Sequence, residues 1–373
     1  MQKRNNKIVA IFTPFPAIIG GGERYIFSIA ETYSLKGFKV KILSPYRYNI
    51  RKFSKAFNLK LKNCSYQKTN SKDFFLPNIR KEYDYFFCLS NHINPPVYGN
   101  GNHNALIIQF PFPHPSKKLG DKIQKLSLIP KLKSYDKIIC YSEYSKKQIK
   151  KVLPKNIKIS IDIIYPPIDI KRFKQKNKKN IVLAVGRFFV GDHNKQHNIL
   201  IETFKDLYTS EVLKDWQLHI AGYLSNDSES KIYFNTLKEV SENYPIFMHK
   251  NISDKKLTEL YNSARIFWHA AGYKNNEKAT PEKSEHFGIA VIEAMAAGAV
   301  PFVAKAGAMP ELIKNRKNGF LWSSTITLKM QVKSFIDGNF KEKSLIKNIV
   351  NTIQKYDLLE FQMKVLKLYK TLI

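Results

Sequence analysis

The sequence predicts an α/β protein built from two doubly wound parallel-sheet domains. Strand-like and helix-like apolar periods alternate along most of the chain. A double proline, Tyr165-Pro166-Pro167-Ile168-Asp169, and the lysine-rich stretch 171–179 interrupt that alternation near the middle. The length of 373 residues suits two ordinary domains, and 43% hydrophobic residues are enough for two cores. The expected domains are residues 1–170 and 171–355. A terminal helix at about 356–373 is a candidate to pack back on the first domain.

The first run opens with a strand at 8–13 and the glycine loop Gly20-Gly21-Gly22. A helix at 23–36 follows, with Ile26, Ile29, Ala30 and Tyr33 at helical spacing and Gly37 as its stop. The strand at 38–43 completes a βαβ unit. Further strands are expected at 83–89, 105–110, 137–141 and 159–164. The second run has strands at 180–185, 216–221, 245–249, 265–269 and 300–304. Helices are expected between them at 196–207, 229–242, 254–263 and 288–297. A short helix near 310–314 and a terminal helix at about 358–372 close the chain. Two such domains joined near the middle are expected to form a cleft between their strand-end loops. No repeat shorter than a domain is evident.

Lys and Arg total 62 against 30 Asp and Glu, a net charge of +32. Residues 1–170 hold 30 bases and 10 acids, which leaves 32 and 20 for residues 171–373. The excess is lysine: only nine bases are arginine, the usual reader of bases and phosphates. That shortage argues against the alternative of a basic nucleic-acid-binding protein. An AT-rich genome would also raise the lysine content. Two basic, partly apolar stretches suit an anionic membrane surface. One runs through Lys117, Lys118, Lys122, Lys125, Lys131 and Lys133, and the other is Lys146–Leu153. A solvated lysine face on core helices is the competing explanation. No run of 18 apolar residues exists, and residues 8–12 read as a strand rather than a signal peptide. Three widely spaced cysteines fit a reducing cytoplasm and no zinc site. The expectation is a cytoplasmic protein, peripheral on the inner membrane face if the charge serves lipid.

The most informative segment runs from Ser284-Glu285-His286-Phe287-Gly288-Ile289 through Glu293 to Gly298. Residues 288–297 form a strong helix pattern that Gly298 ends. The start of that helix is an anion site suited to a diphosphate. Glu285 and Glu293 are eight residues apart, which in one straight helix means a rise of about 12 Å and a rotation near 800°. A helix starting after Glu285 removes the resulting splay. It lets one carboxylate reach a hexose and the other a ribose. A further pair of cations, Arg187 and Lys195, follows the strand at 180–185. No Asp-x-Asp element accompanies them.

The segment 285–293 resembles the E-x7-E motif of the retaining glycosyltransferases of family 4. The surroundings are similar too: His269-Ala-Ala-Gly272, Gly307-Ala-Met-Pro310-Glu311 and Asn318-Gly319, with Ala308 standing where a second glycine is frequent. The resemblance spans most of residues 180–322. It implies the GT-B fold, two Rossmann-like domains facing a cleft. It implies catalytic roles for Glu285, Arg187 and Lys195. Donor binding falls to Glu293, His286, Phe287, Gly288 and Ile289, with Gly21 and Gly22 in the first domain. Family members also place a His after a first-domain strand. Gln109 aligns with it here, and His92 and His114 are the other acceptor-side candidates. The run Gly20-Gly21-Gly22-Glu23-Arg24 resembles mannosyltransferases that extend lipid-linked oligosaccharides.

The implied function is retaining transfer of a hexose from a nucleotide-diphosphate sugar, GDP-mannose or a UDP-hexose, to a glycan or lipid-linked glycan. Neither a cofactor nor a metal is expected, nor a nucleic-acid partner. Domain closure would exclude water, and front-face attack would retain configuration. A sugar-nucleotide-binding assembly protein without turnover is the rival within the same fold.

Overall fold

The computed structural model describes residues 7–69, 81–109, 128–175, 178–191 and 194–369. Contacts divide the chain into one unit of Met1–Pro167 with Leu359–Ile373 and another of Ile168–Leu358.

In the first unit the strands are β1 (Ile8–Phe12), β2 (Lys39–Ser44), β3 (Cys64–Lys68), β4 (Tyr83–Ser90), β5 (Gly101–Ile108), β6 (Lys137–Cys140) and β7 (Ser160–Ile163). They form one parallel sheet in the order β3-β2-β1-β4-β5-β6-β7. Its central strands are apolar runs buried on both faces, the expected signature of a parallel sheet covered by helices. The helices are α1 (Gly21–Leu35), α2 (Ile50–Phe57), α3 (128–133) and α4 (Glu143–Val152). α1 is buried over most of its surface because the terminal helix covers it. That helix, here α12 (Leu358–Lys367), sets Phe361 edge-on to Tyr25 at 5.2 Å. Its Gln362 amide donates to Glu31 at 3.5 Å.

In the second unit β8 (Lys179–Val185), β9 (Gln217–Gly222), β10 (Ile246–Lys250), β11 (Ala264–His269), β12 (Val300–Ala304) and β13 (Phe320–Trp322) form a parallel sheet. Its order, β10-β9-β8-β11-β12-β13, steps outward in both directions from β8 and β11. Strand order therefore reverses between these two, and ligands favour the loops beyond the carboxyl ends at such a point. The helices are α5 (His197–Thr209), α6 (Ser228–Val240), α7 (Asp254–Ser263), α8 (Ile289–Ala296), α9 (Met309–Leu312), α10 (Thr325–Ile336) and α11 (Glu342–Ile353). One sheet face packs Trp268, Phe302 and Trp322 against Leu200 and Phe204 of α5 and Leu328 of α10.

α8 is fixed at its far end by Lys178. The ammonium donates to the carbonyls of Ala297 at 2.6 Å, Asn262 at 3.1 Å and Tyr261 at 3.4 Å. A cation thus closes the C-terminal carbonyls of α7 and α8 together. Burial lowers its pKa to about 8.

Candidate functional site in the second unit

The site is assembled where β8 and β11 end. Past Val185 the chain reaches Gly186, and the stem of Lys195 lies across that glycine in the space a Cβ would take. This directs the Lys195 ammonium inward, where Nζ donates to Glu285 Oε2 at 2.5 Å. Their side chains are only 20% and 17% exposed. His269, the last residue of β11, places Nε2 3.1 Å from the same carboxylate oxygen, and its side chain is 4% exposed. An ionised carboxylate only accepts, so Nε2 carries the proton and Nδ1 is left as an acceptor. Nδ1 is buried with no partner among the described residues.

Burial pushes the Glu285 carboxyl upward, but the Lys195 charge and the His269 hydrogen bond outweigh it and hold it well below the usual value. Burial holds His269 below the usual imidazole value. At neutral pH Glu285 is therefore a carboxylate and His269 a neutral imidazole.

The loop before α8 is held from behind. The Glu285 carbonyl accepts from Ala308 N at 2.8 Å. Gly307 has φ +57, and a Cβ there would overlap the Glu285 backbone, so only glycine allows this approach. Gly307 N in turn donates to Glu277 Oε1 at 2.5 Å, and Ser284 Oγ donates to the same oxygen at 3.2 Å. Phe287 is buried edge-on to Tyr356 at 5.6 Å. Gly288, with φ +98, is the N-cap of α8 rather than its first residue. A Cβ on it would meet the Met309 methyl at 2.5 Å. The first-turn N–H groups of Ile289 and its neighbours begin the helix at this point, where an anion is stabilised. His286 and Glu293 are buried, Glu293 within α8 and one turn on from Ile289.

Thus Lys195 and Glu285 meet directly, and Glu293, His286, Phe287, Gly288 and Ile289 share one loop and helix. Arg187 does not join the ion pair. Its side chain is exposed, with the guanidinium 5.5 Å from the centroid of the Phe189 ring. Sequence reasoning missed His269 and Glu277 as parts of the site. His269 stood at a predicted strand end, which is a usable signal; Glu277 lies in a polar loop with none. Beside Lys195, Asn194, Gln196, Tyr273 and Asn275 line a cleft of about 380 Å³.

In the first unit, β4 and β5 end side by side, and Gln109 N donates to the carbonyl of Ser90 at 3.0 Å. The Gln109 amide sits over Gly22, with Oε1 2.6 Å from where a Cβ would stand. Gln109 and the glycine loop are therefore one local structure. His92 N donates to Ser90 Oγ at 3.1 Å, which fixes the turn after β4. Gly21 is the first residue of α1 and is exposed. His114 lies outside the described residues, as do Lys117, Lys118, Lys122 and Lys125. Glu23, which follows the glycines, is buried, and burial raises its carboxyl to about 6. The nearby Tyr141 hydroxyl is buried with no partner among the described residues.

Residues 167–352 match the family described as Glycosyl transferases group 1. The chain is 22% identical over 257 residues to a GDP-Man:Man(3)GlcNAc(2)-PP-Dol alpha-1,2-mannosyltransferase of Dictyostelium discoideum, covering 64% of this chain and 48% of that protein. It is 26% identical over 241 residues to an uncharacterized glycosyltransferase of Methanocaldococcus jannaschii, covering 64% of this chain and 60% of the other. The chain thus spans about half the length of these curated relatives. Among solved structures it is similar to a glycosyltransferase from Rickettsia africae, with TM-score 0.69, 18% identity and 99% of both chains covered. It is also similar to Anabaena HepE in complex with UDP-glucose, with TM-score 0.68, 13% identity, and 96% and 98% of the two chains covered. The fold is that of the GT-B glycosyltransferases.

Proposed function

From a group 1 glycosyl transferase match over residues 167–352, we propose that this chain is a retaining glycosyltransferase that needs no metal. In this reading it moves a hexose from GDP-mannose or a UDP-hexose to a glycan or lipid-linked glycan on the cytoplasmic membrane face. The product would serve cell-surface polysaccharide or glycolipid synthesis. The convergence of Lys195, Glu285 and His269 ahead of α8 carries the proposal.

In the proposed reaction the diphosphate lies at the α8 N-terminus, where Lys195 and Arg187 stabilise its charge as the bond to the anomeric carbon breaks. Glu285 stays ionised and accepts from hexose hydroxyls, while Glu293 accepts from the ribose. The acceptor hydroxyl attacks from the face the phosphate leaves. Same-face attack retains configuration, and the acceptor's proton passes to the departing phosphate oxygen. His269 keeps Glu285 oriented while remaining neutral.

Donor choice is supported from two sides. The Dictyostelium relative is named for GDP-Man, and HepE was solved with UDP-glucose. The test is a thermal-shift series with GDP-mannose, UDP-glucose, UDP-galactose and UDP-N-acetylglucosamine. A donor at a hundred times its Kd adds about 2.7 kcal/mol to stability. One of them should raise the Tm, and Glu285→Gln should abolish transfer from it while the protein still folds. No stabilisation by any donor, or wild-type transfer by Glu285→Gln, overturns the proposal.

A further inference from the structure

The loops at the carboxyl ends of β1 and β2 expose apolar side chains that no other described residue covers. Ile18 is 62% exposed, Ile19 51% and Tyr46 46%. The two loops are tied together: the Tyr48 hydroxyl reaches the carbonyls of Phe15 at 3.2 Å and Pro16 at 3.4 Å. Directly after Tyr48 comes α2, capped by Asn49, whose side chain accepts from Lys52 N at 3.1 Å. α2 buries Phe53, stacked on Phe27 at 4.7 Å, and so turns Arg51, Lys52 and Lys55 outward. Arg47 is exposed beside Tyr46.

The charge pattern here is one-sided. Between residues 7 and 60 the only acids are Glu23 and Glu31, against ten Lys and Arg. Both acids are buried. The surface of this segment therefore offers cations with no exposed carboxylate among them. A nucleic acid would match the charge but gives no reason for two isoleucines in water. A protein partner would need acidic and apolar groups interleaved at matching positions. A bilayer with anionic headgroups satisfies both features without such matching: the apolar tip enters the acyl boundary and the cations meet the headgroups.

We infer that Ile18, Ile19 and Tyr46, with Arg47, Arg51, Lys52 and Lys55, form a docking surface for an anionic phospholipid bilayer. It shares no residue with the basic stretches at 117–133 and 146–153. It deepens the lipid-linked acceptor of the proposed function and rests on that reading only for its purpose. The vesicle experiment needs no sugar nucleotide, so either can fail alone.

The experiment is flotation of the full chain with vesicles of phosphatidylcholine, or of phosphatidylcholine and phosphatidylglycerol in equal parts. Binding is expected only to the mixed vesicles and should fall with salt. Arg47→Gln/Arg51→Gln/Lys52→Gln should lower the partition coefficient roughly a hundredfold, at about fivefold per cation. Ile18→Ser/Ile19→Ser should lower it roughly tenfold or more. A charge-matched control, Lys317→Gln/Lys343→Gln/Lys347→Gln, changes exposed lysines of the second unit and should leave binding within twofold. All the changed side chains are exposed, and thermal melts verify that each variant folds. The inference is overturned if the wild type does not bind the mixed vesicles. It is also overturned if the isoleucine variant binds as the wild type does, or if the control loses as much as the arginine variant.

Discussion

Replacing Lys195 by Met tests the centre of the site through stability alone, without any substrate. The substitution keeps an apolar stem over Gly186 and removes the ammonium 2.5 Å from Glu285. Glu285 is 17% exposed, so its charge loses its main partner and is not rescued by water. Removing one partner of such a buried pair costs about 3–5 kcal/mol. The His269 hydrogen bond at 3.1 Å remains, which places the expected loss near the lower end, about 3 kcal/mol at pH 7. The pH dependence supplies the sharper signature. In the wild type Glu285 is held well below 4.5. Its contribution is thus complete above the unfolded value near 4.5 and is lost as pH falls through the depressed one. Without Lys195, burial dominates and raises the carboxyl above its unfolded value. Stability of the variant then falls as pH rises from 4.5 through the raised value. The assay is urea unfolding of both proteins from pH 4.5 to 8. The difference between them should widen as pH rises. A loss under about 1 kcal/mol, the range of a solvent-exposed pair, would refute the reasoning. So would a difference that does not change with pH.

Gly307→Ala should destabilise the second unit by roughly 2–6 kcal/mol, combining a left-handed backbone with overlap on the Glu285 main chain. Chemical denaturation measures it, and a loss of transfer greater than the loss of folded protein is also expected. Glu23 titrates near 6 when folded against 4.5 unfolded. Its charge therefore costs stability that is retained below 4.5 and lost as pH rises through 6, on the order of 2 kcal/mol in all. Glu23→Gln should flatten that part of the stability–pH curve, and an unchanged slope would remove Glu23 as its source.

The parts of the fold carried by long apolar periods were readable from the sequence. β1, β4, β8 and β12 are buried on both faces, so their composition alone declares them. β3, Cys-Ser-Tyr-Gln-Lys, sits at a sheet edge with half-exposed side chains, and β13 has three residues. β3 is not apolar enough, and β13, Phe-Leu-Trp, is not long enough, to stand out from a loop. α2, α10 and α11 follow loops without strong strand signals on either side, and they too escaped prediction. In the site, the spacing of Glu285 and Glu293 around a helix start was legible, as was the strand-end position of Lys195. What separates Lys195 from Arg187 was not. Both are cations after one strand, and only the bare backbone at Gly186 lets one of them turn inward. Glu277 resembles Glu282 in sequence, two acids in one polar loop. Only the path of residues 304–308 behind it reveals that Glu277 supports a main-chain N–H.

The connectivity of the first unit constrains the order in which it can be completed. Its α1 is covered by α12, through Tyr25 on Phe361 and Glu31 on Gln362, yet α12 follows the whole second unit in the chain. Tyr369 completes the same cover, packing 5.5 Å from Tyr85 and 4.7 Å from His103. During synthesis on the ribosome, α1 must wait with that apolar flank open until the second unit, which lies between it and α12, has emerged. The first unit therefore closes only after the second has been made. In the interval its exposed helix is a natural client for a chaperone.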